Sequence, residues 1–231
     1  MKAGIRTAYK NWLALVWSLV AAAMLWLPAV ASAQTQTLTL PGPSNNQQNV
    51  LMFDVHAVNA LTVTGLSTAM DSAGTQTYQI YGRTGTHVGN TDSLTGWTLL
   101  GTSAPLTAAN PDDVVDLGVV LNVAVPAGQT HALMLRTSTD TSPLVGYMNA
   151  ASAVGGVAAA DANLQVLVGT GASWDFSTNY SPRQLVGAVR YQLETAPAGQ
   201  VQAVPTLSQW MLLGLALMLG GLAWRQRRGG H

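Results

Sequence analysis

The fold is decided by residues 50–66, which read VLMFDVHAVNALTVTGL. Residues 50–58 and 61–66 are rich in Val, Leu, Phe and Thr, which favour strands, and Asn59-Ala60 separates the two runs. The pattern predicts two β-strands that pair as a hairpin.

Short segments of the same kind continue on both sides of this pair. Residues 35–40 alternate polar and apolar side chains, and the turn-forming sequence PGPSNN follows at 41–46. Only residues 150–162 could form a helix, and Gly155-Gly156 favours a loop there. Further strands are predicted at residues 75–81, 97–100, 114–117, 119–125, 130–137, 144–148, 164–168 and 185–193. About ten short strands with frequent turns predict an all-β fold, an antiparallel β-sandwich of jelly-roll-like type.

Several short motifs in this region resemble a β-sandwich module common in secreted bacterial proteins. They are FDVHAVN at residues 53–59, WTLLG at 97–101, VPAGQT at 125–130 and YSPR at 180–183. The resemblance implies the same fold over most of residues 50–193, and it implies no defined activity.

The N-terminus has the three parts of a secretory signal peptide. A positive region with Lys2, Arg6 and Lys10 precedes an apolar region at residues 12–27, and the small residues Ala31-Ser32-Ala33 end the segment. We predict cleavage between Ala33 and Gln34, so that Gln34 begins the mature chain. The alternative is an N-terminal helix that is not cleaved.

The C-terminus carries a second apolar segment at residues 211–224. Trp210 and Trp224 lie at its two ends, and the cluster Arg225, Arg227 and Arg228 follows. A helix of about fifteen residues rises about 22 Å, less than a hydrocarbon core of about 30 Å, so it spans a membrane with help from its flanks. The arginines then hold its C-terminal end on the cytoplasmic side.

The residues directly before this segment form a recognisable block. They are Val204, Pro205, Thr206, Leu207, Ser208, Gln209 and Trp210. With the apolar helix and the arginines, the block resembles the IPTL-type C-terminal protein-sorting domain, usually written Ile-Pro-Thr-Leu-Ser-Glu-Trp; Val204 replaces Ile and Gln209 replaces Glu. The resemblance implies an exosortase-like partner enzyme in the inner membrane of a Gram-negative bacterium, which recognises the tail and removes or exchanges it. The alternative is a simple membrane anchor that no enzyme processes.

The charges are segregated between the ends and the middle of the chain. Six of the ten Lys and Arg residues lie in the termini, whereas all ten acids lie in residues 34–200, together with only four arginines. This acidic balance disfavours a nucleic-acid partner, because phosphate binding depends on clustered Lys and Arg. Cysteine is absent, which excludes disulfides and thiolate chemistry.

We expect a signal peptide at 1–33, an extracytoplasmic domain at 34–195, a linker at 196–203 and the sorting signal with its transmembrane helix at 204–231.

The densest acidic cluster consists of Asp112, Asp113 and Asp116. Calcium binds several carboxylate oxygens of one loop, but this spacing lacks the regular alternation of a calcium loop. We therefore predict a solvated strand end and no metal, with calcium as the alternative.

Residues for catalysis are scarce. His56, His87 and His131 are far apart in sequence, no Gly-x-Ser-x-Gly motif is present, and Glu194 is the only glutamate. We predict no catalytic residue and no cofactor, although composition leaves a Ser-His-Asp triad open.

Aromatic residues offer the remaining candidate site. Trp97, Trp174 and Tyr180 would stack on sugar rings if they faced one groove, whereas core filling or capping is their usual role and the one we favour. An ion pair between Asp175 and Arg183 would shape the loop that carries two of these rings.

These features predict an exported protein of the cell surface or extracellular matrix with a structural or adhesive role. A carbohydrate-binding module associated with exopolysaccharide is the alternative, and a hydrolase of unknown type is a third hypothesis.

Overall fold

The computed structural model describes residues 34–194. The predicted signal peptide, linker, sorting block and transmembrane helix lie outside these residues. The described part contains sixteen strands, all paired antiparallel, and no helix, so the prediction of an all-β antiparallel fold is confirmed. No helix long and apolar enough to cross a membrane occurs within residues 34–194.

The strands are β1 (Thr35–Leu40), β2 (Asn46–Gln48), β3 (Val50–Ala57), β4 (Leu61–Met70), β5 (Gly74–Gln76), β6 (Tyr78–Thr84), β7 (Thr98–Thr102), β8 (Leu106–Ala108), β9 (Val114–Asp116), β10 (Val123–Val125), β11 (Thr130–Thr137), β12 (Val145–Asn149), β13 (Val157–Ala160), β14 (Leu164–Ala172), β15 (Asn179–Leu185) and β16 (Gly187–Leu193).

Fourteen of these strands form one continuous sheet. Its main order is β1-β16-β4-β12-β15-β14-β3-β11-β6-β7, and β5 pairs separately with β8. The main core contains inward residues from both ends of this order, among them Leu38 and Val189 from one end and Phe53, Ile80 and Leu133 from the other. The sheet therefore encloses its apolar side chains by folding over on itself.

The predicted hairpin between residues 50–58 and 61–66 is wrong. β3 pairs with β11 along one edge and with β14 along the other, whereas β4 pairs with β16, β12, β9 and β10. The residues between β3 and β4 bond to a distant part of the chain. The backbone N–H of Val58 donates to the carbonyl of Asn163 at 2.8 Å. β3 is buried on both faces, and a central strand of this kind has no free edge left for its neighbour in sequence.

The sequence predicts a loop at residues 150–162, but this segment contains strand β13. Val157 and Ala160 of β13 lie opposite Leu167 and Gln165 of β14, with a register shift between them. Pairing with β14 thus overrides the weak strand preference of the alanines.

A second, smaller apolar cluster lies on the outer side of β3 and its neighbours. We call it the outer cluster; it consists of Val50, Met52, Tyr81, Trp97, Ala132, Met134, Ala172 and Phe176, with Leu94 packed against it. Residues 85–97, the covering segment, supply Leu94 and Trp97. This segment explains why β3 is apolar on both faces.

Candidate functional site

The two ends of the described chain lie side by side. β1 pairs with β16 in unbroken register, which places Thr35 opposite Gln192. The backbone N–H of Glu194 donates to the carbonyl of Ala60 at 3.0 Å, which fixes the last described residue. The predicted mature N-terminus at Gln34 therefore adjoins the point at which the chain continues toward the sorting signal.

A polar network fastens β1 at this end. The hydroxyl of Tyr191 lies 2.6 Å from Oδ2 of Asp161 and 2.8 Å from Oε1 of Gln36. Burial opposes ionisation of Asp161, but hydrogen bonds from Tyr191 and from the backbone N–H groups of Asn163 and Leu164 outweigh it and lower the pKa of the carboxyl group. Burial, and then the bond to Asp161, raise the pKa of Tyr191. The network couples the first strand to the turn before β14.

The predicted aromatic residues do not form an open row of rings. Trp97 is only 8% exposed in the outer cluster, and its indole N–H donates to the carbonyl of Asn90 at 3.0 Å. Trp174 and Tyr180 are half-buried. Trp174 carries the guanidinium of Arg136 at 3.5 Å from its ring centroid, so one face of the ring is covered.

All four arginines of the described part have structural partners. Arg83 lies over Trp97 at 5.7 Å from the ring centroid, and Arg183 lies over Tyr147 at 5.5 Å. Arg136 stacks on Trp174, and Arg190 forms an ion pair with Asp116. Burial lowers the pKa of Arg136, and cation–π contact with the ring compensates in part for the lost water.

The ion pair expected between Asp175 and Arg183 is not formed. Asp175 instead accepts hydrogen bonds from the hydroxyls of Ser173 at 2.7 Å and Ser177 at 2.8 Å. These bonds and the backbone N–H of Ser177 lower the pKa of Asp175 to about 2. Arg183 donates to the carbonyl of Pro182 at 2.9 Å. The loop is therefore shaped by hydroxyl groups rather than by opposite charges.

The acidic cluster does not converge on one point. Asp113 accepts from the backbone N–H of Ala109 at 3.0 Å and of Asn110 at 2.8 Å, whereas Asp116 pairs with Arg190 and Asp112 accepts from Ser44. Within residues 34–194 no three His, Asp or Glu side chains are arranged to hold a metal ion. The three carboxylates therefore bind separate partners and share no common point.

A buried polar cluster was missed by sequence reasoning. Oδ1 of Asp54 on β3 lies 2.8 Å from Nδ1 of His87, and Nε2 of His87 lies 3.5 Å from the hydroxyl of Thr170. Asp54 also accepts from the backbone N–H of His87 at 2.9 Å and from the hydroxyl of Thr86 at 2.6 Å. A single Asp inside the apolar run LMFDV was the available signal, because a buried carboxylate needs partners.

This cluster places a carboxylate, an imidazole and a hydroxyl in the order of a hydrolytic relay. Asp54, His87 and Thr170 are 2%, 0% and 7% exposed, so the covering segment closes them off from solvent. His87 belongs to that segment, and moving the segment would separate the three groups. The arrangement therefore anchors the covering segment over the outer cluster.

Comparison with known protein families finds a match at the C-terminus of the chain. Residues 202–229 match the IPTL-CTERM motif at the C-terminus of the chain, so the predicted resemblance is confirmed. No curated protein sequence matches the chain.

Proposed function

We propose that this protein is exported and sorted by an exosortase-like enzyme, and that its all-β body, an antiparallel sandwich of jelly-roll-like type, serves a structural or adhesive role at the cell surface or in the extracellular matrix. The observation that carries the proposal is the IPTL-CTERM motif at residues 202–229. A C-terminal motif of this kind marks the substrate of a sorting system. Its partner is therefore expected in the inner membrane.

The body has the surface chemistry of an exported scaffold. The described part contains ten acids and four arginines, and it contains no lysine and no cysteine. Every arginine is engaged with an aromatic ring or with Asp116, which leaves no cluster of free cations for a polyanion in residues 34–194. A net negative charge keeps such a body soluble and disfavours nonspecific association.

The position of the chain ends also suits processing at both termini. Thr35 and Gln192 lie opposite each other, so β1 begins and β16 ends at the same side of the body. Within the described part, the buried residues of the main core lie between Leu38 and Tyr191, so we expect this core to persist when a signal peptide is removed before Gln34 and a tail after Glu194.

A carbohydrate-binding module associated with exopolysaccharide is the second candidate. It is favoured by Trp174, a half-buried ring whose orientation is fixed by Arg136. Burial of Trp97 leaves fewer rings for a stacking platform. If this candidate is right, exopolysaccharide in a native gel should slow the Trp174→Ala variant less than it slows the parent protein. Equal mobility of the two proteins would count against it.

The sorting proposal is tested by changing the motif and following the protein between cell fractions. The double variant Pro205→Ala, Thr206→Ala should accumulate in the inner membrane, while the parent protein reaches the surface or the medium. A matched control, Pro197→Ala in the linker, should be released like the parent. Equal release of the motif variant and the control would refute the sorting role.

A further inference from the structure

We propose that a cavity on the face of β4 away from the main core binds a primary ammonium group on an apolar stem, the chemistry of a lysine side chain. The cavity, which we call the Asp112 cavity, has a volume of about 440 Å³ and lies between the turn after β1 and the turn before β9. A cavity of this volume can hold a small organic group. The inference goes beyond the proposed function and does not depend on sorting.

Three neighbouring strands supply the floor of the cavity. Ala188 of β16 lies opposite Thr39 of β1 on one side and opposite Ser67 of β4 on the other, and all three residues line the cavity. Directly paired residues project from the same face of a sheet. Since Thr39 is exposed, the row faces away from the core. The small side chains of Ala188 and Ser67 leave space above the sheet.

Ser67 gives the floor an unused polar group. Its residue is only 8% exposed, and its hydroxyl forms no hydrogen bond within residues 34–194. Buried hydroxyl groups in proteins are normally hydrogen-bonded, because an unpaired one loses its bonds to water without replacement. A buried, unpaired hydroxyl that lines a cavity therefore indicates a polar ligand at this point.

Asp112 gives the cavity a carboxylate that is held in place. Its backbone N–H donates to the carbonyl of Met70 at 2.8 Å, and its φ of 67° lies in the left-handed region that few residues adopt. The hydroxyl of Ser44 donates to Oδ1, whereas Oδ2 accepts no hydrogen bond within the described part of the chain. One oxygen of a fixed carboxylate is therefore available to a ligand.

The charge of Asp112 has no ion-pair partner among residues 34–194. Three of the four arginines there lie over aromatic rings, and Arg190 pairs with Asp116. Lysine occurs in the chain only at Lys2 and Lys10, in the predicted signal peptide. A cation that complements Asp112 would therefore come from another molecule.

The lining selects an organic cation over a metal ion or a sugar. Calcium needs several oxygen ligands, but Asp112 is the one acidic residue that lines the cavity. Sugar rings stack on aromatic side chains, and none of the lining residues is aromatic. Pro43, Val114 and Val186 offer apolar surface instead, which suits the methylene groups of a lysine stem. The ammonium group would then bind Asp112 and Ser67.

Saturation-transfer difference NMR on the full-length protein in detergent micelles tests this assignment, with spectra of empty micelles subtracted. The probes are the Nα-acetyl methylamides of lysine and of norleucine, which shares the stem but lacks the ammonium group, and glucosamine, which has an ammonium group but no apolar stem. Asp112→Asn is the main variant, because asparagine keeps the shape of the side chain and adopts the left-handed region readily. Asp140→Asn is the matched control, because it removes an exposed carboxylate that does not line the cavity. Far-ultraviolet circular dichroism checks that each variant keeps its strands.

The parent protein should bind the lysine probe more tightly than the other two probes. Asp112→Asn should weaken that binding by about tenfold, because a charge-assisted hydrogen bond is lost. Asp140→Asn should bind like the parent protein. Replacing sodium chloride by calcium chloride at equal ionic strength should not displace the probe.

Four results would overturn the proposal: equal binding of the lysine and norleucine probes, tighter binding of glucosamine, displacement of the lysine probe by calcium, or equal affinities of Asp112→Asn and Asp140→Asn. The comparison of probes uses the parent protein, so it decides the question even if Asp112→Asn does not fold. No sorting enzyme takes part, so failure of this proposal is independent of failure of the proposed function.

Discussion

Asp54 holds His87, a residue 33 positions later in the chain, with 2.8 Å between Oδ1 and Nδ1. Both side chains are almost fully buried on the outer side of β3. The contact ties the covering segment to the central strand β3. A buried polar contact therefore adds to the apolar packing that holds the covering segment over the outer cluster.

Replacing Asp54 with Asn should lower the free energy of unfolding by about 1–3 kcal/mol. The amide keeps the size of the carboxylate, but it is uncharged. It therefore accepts hydrogen bonds from the Thr86 hydroxyl, the backbone N–H of His87 and Nδ1 of His87 less strongly than the carboxylate does. Urea denaturation followed by circular dichroism measures the change. Asp92→Asn, in the same segment but exposed, is the control and should change stability by less than about 0.5 kcal/mol. Equal stability of the two variants would show that the anchor contributes nothing.

The same pair predicts a dependence on pH. Burial opposes ionisation of Asp54, but the bonds and charge of His87 and the bond from Thr86 outweigh it and lower the pKa of the carboxyl group. A carboxyl group with a lowered pKa in the folded state stabilises the protein above its unfolded pKa of about 3.9, and this contribution is lost as the pH falls through the folded value. The stability difference between the parent protein and Asp54→Asn should therefore shrink as the pH falls below about pH 4. A difference that grows on acidification would contradict this assignment.

Arg136 and Trp174 should be energetically coupled. The guanidinium lies 3.5 Å from the ring centroid and also donates to the carbonyl of Trp174 and to Oε1 of Gln79, both at 3.3 Å. A double-mutant cycle with Arg136→Ala and Trp174→Ala should give a coupling free energy of about 0.5–2 kcal/mol. The matched cycle with Arg183→Ala and Trp174→Ala should give none, because Arg183 stacks on Tyr147 instead. Additive effects in both cycles would mean that the stacking is not stabilising.

Gly169 should not tolerate a side chain. A Cβ atom there would overlap the carbonyl oxygen of Met52, because β14 approaches β3 closely at the register shift between Leu167 and Thr170. Gly169→Ala should cost more than about 3 kcal/mol of stability or prevent folding, since neither backbone can yield without breaking the sheet. Gly128→Ala is the control: its Cβ would meet nothing within 4 Å, so only the positive φ of 73° opposes it, at about 1–2 kcal/mol. Similar melting temperatures for the two variants would contradict the close approach.

Local sequence patterns predicted many of the strands, but they missed β2, β8, β13 and most of β15, and they did not predict the strand partners. The strand expected at residues 130–137 has the bounds of β11, and the alternation in residues 35–40 correctly turns Leu38 and Leu40 inward. The predicted hairpin between β3 and β4 is not formed, because these two strands, although consecutive in sequence, are not neighbours in this sheet. The uninterrupted burial of β3 is the physical reason, since covering both faces and both edges requires elements distant in sequence.

The candidate site was predictable only where a linear motif carries it. The block from Val204 to Trp210 can be recognised without a fold, because it is a contiguous sequence motif. The contacts of Asp54 with His87, and of Arg136 with Trp174 38 residues away, depend on how strands are brought together, and no periodicity in the chain encodes them. The same reason explains the failure of the Asp175–Arg183 pair: adjacent residues supplied Asp175 with closer partners.

The central claim is that both apolar termini are processing signals and that the all-β body is the mature product. Intact-mass and peptide mass spectrometry of the protein from its native cell envelope and medium tests it most directly. We predict a released chain that begins at Gln34 and ends near Val204, with peptides beyond Trp210 missing. A surface-located chain that still contains Arg228 would contradict the claim.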